Sequence, residues 1–205
     1  MGGELDDSFY SSTICNAVIS EVEAQNIINR FNMYNVKPDG NCCLYVIQQW
    51  LHSCEVEIER DIDKFRKSIY DYMTHNKNYF VSKERMYYKQ YMKGQFENIR
   101  DRIWNETSNF GRGCDASHWM DIQKIYPILV HRYGYFRLII FRSDTQPYLY
   151  DINHSWDGNI IAIQKQSWIK YIHEGETDFM KRTLVCLFSG NHYYWLEYKT
   201  TGIKK

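Results

Sequence analysis

The sequence predicts an α+β protein in which a mainly antiparallel sheet is flanked by helices. Two observations carry this reading. Up to Gly134, apolar residues recur at the three- and four-residue spacing of helices; after it they gather into short aromatic and β-branched runs bounded by turn residues. A third observation sets the scale. With 205 residues, 44% of them hydrophobic, the chain can bury a substantial core as one domain. Three prolines and eleven glycines leave neither a linker nor a repeat, so residues 1–205 read as a single domain.

Each element has its own justification. Residues 20–30 open with Ser20 and carry Glu23 three positions on, a capping box that starts a helix. Residues 42–54 follow the strong turn Pro38-Asp39-Gly40-Asn41 and place Cys43, Val46, Ile47, Trp50, Leu51 and Cys54 on one apolar stripe. Residues 61–74 space Ile62, Phe65, Ile69, Tyr72 and Met73 helically, and 82–104 do the same through Met86, Met92, Phe96, Ile99 and Ile103. A fifth helix is expected over 117–131, from Ser117, with Trp119, Ile122, Ile125, Tyr126 and Leu129 on its apolar face. Strands follow at 135–141 and 147–152, then a hairpin of 183–188 and 192–198 across the turn Ser-Gly-Asn. The long excursion 153–182 between them has the length of a functional loop.

Composition excludes several function classes. Lys+Arg and Asp+Glu both number 25, and zero formal charge argues against nucleic acid or an anionic membrane as the main partner. No basic segment followed by an apolar core opens the sequence, and its apolar runs fall far short of the roughly 20 residues that span a bilayer. A soluble cytoplasmic protein with its six cysteines reduced is therefore expected. Cys114 and His118 lack a second ligand pair, so no metal is expected there.

The adjacent pair Cys42 and Cys43 is the most informative point. At about 100° per residue, Cys43 belongs to the apolar stripe while Cys42 stands roughly 110° away, at the helix's first position. Cys43 is thus expected in the core and Cys42 at a cleft. Backbone N–H groups at a helix N-terminus favour a thiolate and can stabilise an oxyanion, which makes Cys42 a candidate nucleophile. A small semi-buried residue is the alternative. A thiolate needs a base. Of seven histidines, His192 opens a Tyr- and Trp-rich strand directly after a tight turn, at a sheet rim, though a structural role fits it as well.

These features resemble one known family. Asp-Gly-Asn-Cys leading into a helix, the stretch "ASHWMDIQKIYPILVHRYGYFRLIIF", and the late "NHYYWL" together resemble the ovarian-tumour (OTU) deubiquitinases, over about residues 36–198 with a helical extension at 1–35. The resemblance implies a papain-like OTU fold and a monomeric cysteine isopeptidase without cofactor. Such an enzyme removes ubiquitin, singly or from polyubiquitin chains, or a ubiquitin-like modifier, from lysine. It casts Cys42 as nucleophile, His192 as general base, and Asp39 as the residue shaping the loop whose amides form the oxyanion hole. Two departures stand out. Where relatives carry an Asp or Asn two residues after the histidine to orient it, this chain has Tyr194; Asn191, Asp6 or Asp7 are the other candidates, and Glu197 lies on the wrong strand face. Cys43 and Tyr45 also replace the residues usual after the nucleophile. For a ubiquitin tail, Asp157, Glu174, Glu176, Asp178, Trp156 and Trp168 of the excursion are candidate contacts. Alternatives from other classes are a ubiquitin-binding module that has lost activity, for which Tyr194 speaks, and a protease processing a polyprotein. A viral or bacterial effector acting in a host cell is compatible with the small size.

Overall fold

The computed structural model describes residues 15–16, 21–81, 87–106, 110–134, 136–142, 148–150, 153–154, 160–161 and 182–199. Within them the chain is α+β, six helices against a mixed, mostly antiparallel sheet. The helices are α1 (Glu21–Ile28), α2 (Cys42–Ser53), α3 (Ile62–His75), α4 (Lys77–Val81), α5 (Tyr87–Ile103) and α6 (Ile122–Tyr133). The strands are β1 (Cys15–Asn16), β2 (Phe31–Asn35), β3 (Arg137–Arg142), β4 (Tyr148–Tyr150), β5 (Asn153–His154), β6 (Ile160–Ile161), β7 (Thr183–Ser189) and β8 (His192–Tyr198).

The main sheet runs β1-β4-β3-β7-β8-β2, and only its β3–β7 pairing is parallel; β5 and β6 pair separately. A two-residue turn closes the β7–β8 hairpin. Ser189 pairs with His192, and the two residues between them, Gly190 and Asn191, take φ of +57° and +63°. That is the left-handed pair whose twist matches flanking strands, and Gly and Asn are the residues that tolerate it. His192 is thereby fixed at the first position of β8.

Residues 31–35 correct the expectation of a helical extension up to residue 35. Helix α1 ends at Ile28, and β2 lies antiparallel to β8 with Phe31 opposite Tyr198 and Asn35 opposite Tyr194. Only Phe31 of the strand is buried, so its own sequence carries almost no amphipathic signal; pairing with β8 makes it a strand.

Helix α2 is more deeply placed than one apolar stripe predicts. Cys42, Leu44 and Gln48 are buried along with Cys43, Val46, Ile47, Trp50 and Leu51, because α2 packs against β8, β7 and α3. The Gln48 amide is satisfied there by donating to the Glu59 carbonyl at 2.8 Å. In α3, Asp61 caps the first turn by accepting from the Lys64 amide, and Ile62, Phe65, Ile69 and Met73 are buried as the spacing predicts. The helix expected over 82–104 is observed as α5 from Tyr87, preceded by the short α4.

The helix expected over 117–131 begins five residues later. Asp115 caps a single 3₁₀ turn (Ala116–His118), Trp119 is extended, and Asp121 caps α6 by accepting from the Gln123 amide. Two aspartates thus divide one apolar pattern into two elements. Trp119, expected on a buried helix face, instead stands in the connection, 44% exposed.

The main core fills the space between α2–α6 and one sheet face, and it includes Leu138, Ile140, Leu184, Cys186 and Tyr193. The opposite face buries Ile139, Phe141, Val185, Leu196 and Phe31, with Ile27 of α1 also buried. Strand parity therefore separates Tyr193, in the core, from His192 and Tyr194 on the other face. No helix among the described residues is long and apolar enough to cross a membrane. Cys42, Cys43, Cys54, Cys114 and Cys186 are unbridged thiols.

Candidate active site

The site starts from the loop Lys37–Asn41, which carries Cys42 into the first turn of α2. Gly40 is required there twice over. Its φ is +84°, and a Cβ would lie 2.5 Å from the Cys114 carbonyl oxygen and 2.7 Å from Trp119 Nε1. Asp39 braces the loop. One carboxylate oxygen accepts from the Asn41 amide at 3.0 Å, and the other takes the Tyr45 hydroxyl at 3.1 Å and Lys37 Nζ at 2.9 Å. Burial alone would raise the Asp39 carboxyl pKa, but Lys37, the Asn41 amide and Tyr45 outweigh it and hold it below the usual carboxylate value. Tyr45, uninterpretable in sequence, therefore has a structural partner. The Asp39 carbonyl also accepts from the Cys114 amide at 2.7 Å, tying the loop to the 113–119 connection.

Behind the loop lies a cation that the sequence reading passed over. Arg66 of α3 is fully buried and points its guanidinium at oxygen acceptors rather than at a carboxylate. Its Nε donates to Asn41 Oδ1 at 2.9 Å, and its terminal nitrogens reach the carbonyls of Arg102, Ile103 and His118 and the Cys114 sulfur. Its guanidinium carbon stands 4.1 Å from the Phe110 ring centroid. Asn41, wholly buried, completes the lattice by donating Nδ2–H to the Phe110 carbonyl. Thus Arg66 gathers α3, the end of α5, the 110–118 connection and the loop before Cys42 around one fork.

Cys42 and His192 line one cleft of about 750 Å³, together with Asn35, Gly40, Trp119, Met120 and Asp121 among others. Cys43 does not line it and is 1% exposed in the core, as the helix-face argument expects. Asp39 is not a lining residue either; it acts on the cleft through the loop. A second cavity, of about 780 Å³, lies at the far end of α2 around Trp50, Cys54 and Trp195, away from Cys42.

A residue the sequence reading missed is placed where it can orient His192. His192 Nε2 lies 2.9 Å from Asn35 Oδ1. Asn35 sits opposite Tyr194 in the β2–β8 ladder, so it is the diagonal neighbour of His192 on the same sheet face. In the tautomer whose Nε2–H donates to Asn35, Nδ1 keeps the lone pair that a base needs. The other candidates are placed differently. Tyr194 presents its ring edge-on to the imidazole with centroids 4.7 Å apart, Asn191 forms the hairpin turn, and Glu197 accepts from the Tyr34 hydroxyl at 2.8 Å. Asp6 and Asp7 lie outside the described residues, as do Asp157, Glu174, Glu176, Asp178, Trp156 and Trp168 of the excursion.

The electrostatics differ from the thiolate expected at a helix N-terminus. Burial pushes the Cys42 thiol pKa above its ordinary value of 9.0; hydrogen bonding to the backbone of Tyr193, Cys43 and Cys42 itself pulls it back only in part. Burial also lowers the His192 imidazole below 6.5, against a smaller opposing pull from the Val36 backbone. Both shifts favour the uncharged forms, thiol and neutral imidazole. The Asn41 amide is committed to Asp39 and so is not among the loop's donors for a developing oxyanion.

No protein-family model, curated protein or solved structure matches this chain.

Proposed function

We propose that the protein is a cysteine isopeptidase of the OTU type, releasing ubiquitin or a ubiquitin-like modifier from protein lysines, with Cys42 as nucleophile and His192 as general base. The observation that carries this reading is that Cys42, at the first position of a helix, and His192, at the first position of a strand, line one cleft although 150 residues separate them in sequence. The hydrogen bond from His192 to Asn35 supplies the orienting group that the sequence lacked at Tyr194.

In the proposed reaction, His192 takes the thiol proton as Cys42 sulfur attacks the carbonyl carbon of the modifier's last residue. The oxyanion is met by backbone amides. Collapse breaks the carbon–nitrogen bond, and the imidazolium returns its proton to the leaving lysine amine. Water, deprotonated by His192, then hydrolyses the thioester and frees the modifier's carboxylate. Asp39 shapes the loop, and Asn35 positions the base. No metal or organic cofactor has a part in these steps.

A second reading has its own support. The raised Cys42 thiol and lowered His192 imidazole are the opposite of a preformed ion pair, which favours a ubiquitin-binding module of weak activity. The deciding experiment is reaction of the purified protein with ubiquitin bearing a C-terminal thiol-reactive group, read by intact mass beside Cys42→Ala and Cys43→Ala. One adduct, lost only in Cys42→Ala, is expected. Binding of ubiquitin without an adduct in the folded protein sinks the enzymatic reading and leaves the binding module.

A further inference from the structure

The cleft holds a carboxylate that the proposed reaction does not use. Asp121 is the one acidic residue among the described residues lining it. Both of its hydrogen bonds go to the same oxygen: the Gln123 amide donates to Oδ1 at 3.1 Å and the Tyr193 hydroxyl at 3.4 Å. The carboxylate is thus locked to α6 and to the residue next to His192, while Oδ2 accepts no hydrogen bond within the described structure. No Lys, Arg or His forms an ion pair with it there. Beyond those two hydrogen bonds, its charge sits at the positive end of α6.

Two positions earlier stands Trp119, 44% exposed and lining the same cleft. Its indole is held in place by donating Nε1–H to the Cys114 carbonyl at 3.2 Å. An exposed, fixed indole beside a carboxylate lacking a cation is the chemistry that receives an arginine or lysine side chain. The methylene stem or guanidinium plane lies on the ring, and the charged head reaches the acid.

We propose that Asp121 and Trp119 form a subsite for a basic side chain close to the bond that Cys42 attacks, making Asp121 a specificity-determining residue. This rests on the assignment of Cys42 as nucleophile. The cation comes either from the acyl strand or from the chain bearing the modified lysine.

The test uses the full chain and short peptides ending in a thiol-reactive electrophile, with Arg, Lys or norleucine placed in turn at each of the last four positions. The rate of Cys42 adduct formation is read by intact mass. A companion set of fluorogenic isopeptides places the same residues beside the modified lysine. Expected is a preference of about tenfold for Arg over norleucine at one position, falling to about one in Asp121→Asn. Asn caps a helix as well as Asp, so that variant removes charge without removing the cap. A preference confined to the isopeptide set places the cation on the leaving side and supports the subsite equally. Adducts at Cys42 with no basic preference, or a preference unchanged in Asp121→Asn, overturn the subsite alone. The absence of any adduct at Cys42, with the fold intact, removes both the subsite and the nucleophile on which it rests.

Discussion

Substituting Gly40 by alanine perturbs the point where two loops of the site touch. At φ +84° a residue with a Cβ pays about 1–2 kcal/mol of local strain. The added methyl would also stand 2.5 Å from the Cys114 carbonyl oxygen, 2.7 Å from Trp119 Nε1 and 2.8 Å from the Cys114 sulfur. The carbonyl cannot yield alone, because the Trp119 indole donates to it at 3.2 Å and the Cys114 amide is bonded to Asp39 at 2.7 Å. Separating the loops costs one or both hydrogen bonds, each about 1 kcal/mol. The sum is about 2–4 kcal/mol, a large share of the roughly 5–15 kcal/mol that holds a domain folded. Urea unfolding followed by circular dichroism should show a lower midpoint at unchanged slope. The rate of ubiquitin-probe adduct formation, measured where the variant is still folded, should fall as well, since Cys42 and Trp119 both move. Gly94→Ala is the control: Gly94 lies within α5 with nothing within 4 Å of an added Cβ, so the change should stabilise by up to about 1 kcal/mol. If Gly40→Ala keeps the wild-type midpoint and rate, the two loops are not in the contact described.

The other predictions concern Arg66, Asn35 and His192. Arg66→Met leaves Asn41 Oδ1 and the Ile103 carbonyl buried without a donor, at about 1–3 kcal/mol each, so the urea midpoint should fall by the equivalent of about 2–6 kcal/mol; a change below about 1 kcal/mol would mean the fork is not holding the loop. Asn35→Ala should slow turnover of a fluorogenic ubiquitin substrate by at least about tenfold with little change in melting temperature, because Asn35 is exposed at the end of an edge strand. Asn35→Asp should retain activity but shift the acid limb of kcat/KM to higher pH, since a carboxylate beside the imidazole favours its protonated form; an unshifted limb would show that residue 35 does not contact the base. In the wild type that limb should lie below pH 6.5, because burial lowers His192 from its ordinary value and the neutral ring is the working base. The same depression stabilises the fold above pH 6.5, and that contribution is lost as pH falls through the folded-state value. An acid limb above 6.5 would refute the assignment.

Much of this molecule is legible in its sequence because the informative residues act locally. Asp61 and the spacing of Ile62, Phe65, Ile69 and Met73 fix α3 without reference to anything distant. Gly190 and Asn191 define the hairpin that presents His192, and the helix-face argument separates Cys42 from Cys43. The failures share one cause: the deciding partner is remote. Strand β2 offers one buried residue in five, and its identity comes from β8, some 160 positions on. Asn35 as the orienting group is invisible until that ladder is drawn. Arg66 reads as the solvated face of a helix, yet its acceptors come from residues 41, 102, 103, 114 and 118. Trp119 differs, since a local signal was present: Asp121 before the Ile122 run is an N-cap, and reading it as one would have released Trp119 from the helix.

The placement of charge around the cleft gives these parts a common logic. Burial raises the Cys42 thiol and lowers the His192 imidazole, so both departures favour the uncharged pair. The group beside the imidazole is an amide, which holds a tautomer but offers no charge to an imidazolium. Asp39, the nearest acid in sequence, further opposes a thiolate. Arg66 does not offset this, since its charge is spread over Asn41 and three carbonyls behind the loop. Both directions therefore oppose proton transfer from Cys42 to His192. On the proposed mechanism, it is drawn forward when an acyl carbonyl accepts the sulfur and backbone amides meet the oxyanion. On that proposal the nucleophile is activated by its substrate rather than before it, and Cys42 is expected to react slowly with small electrophiles at neutral pH.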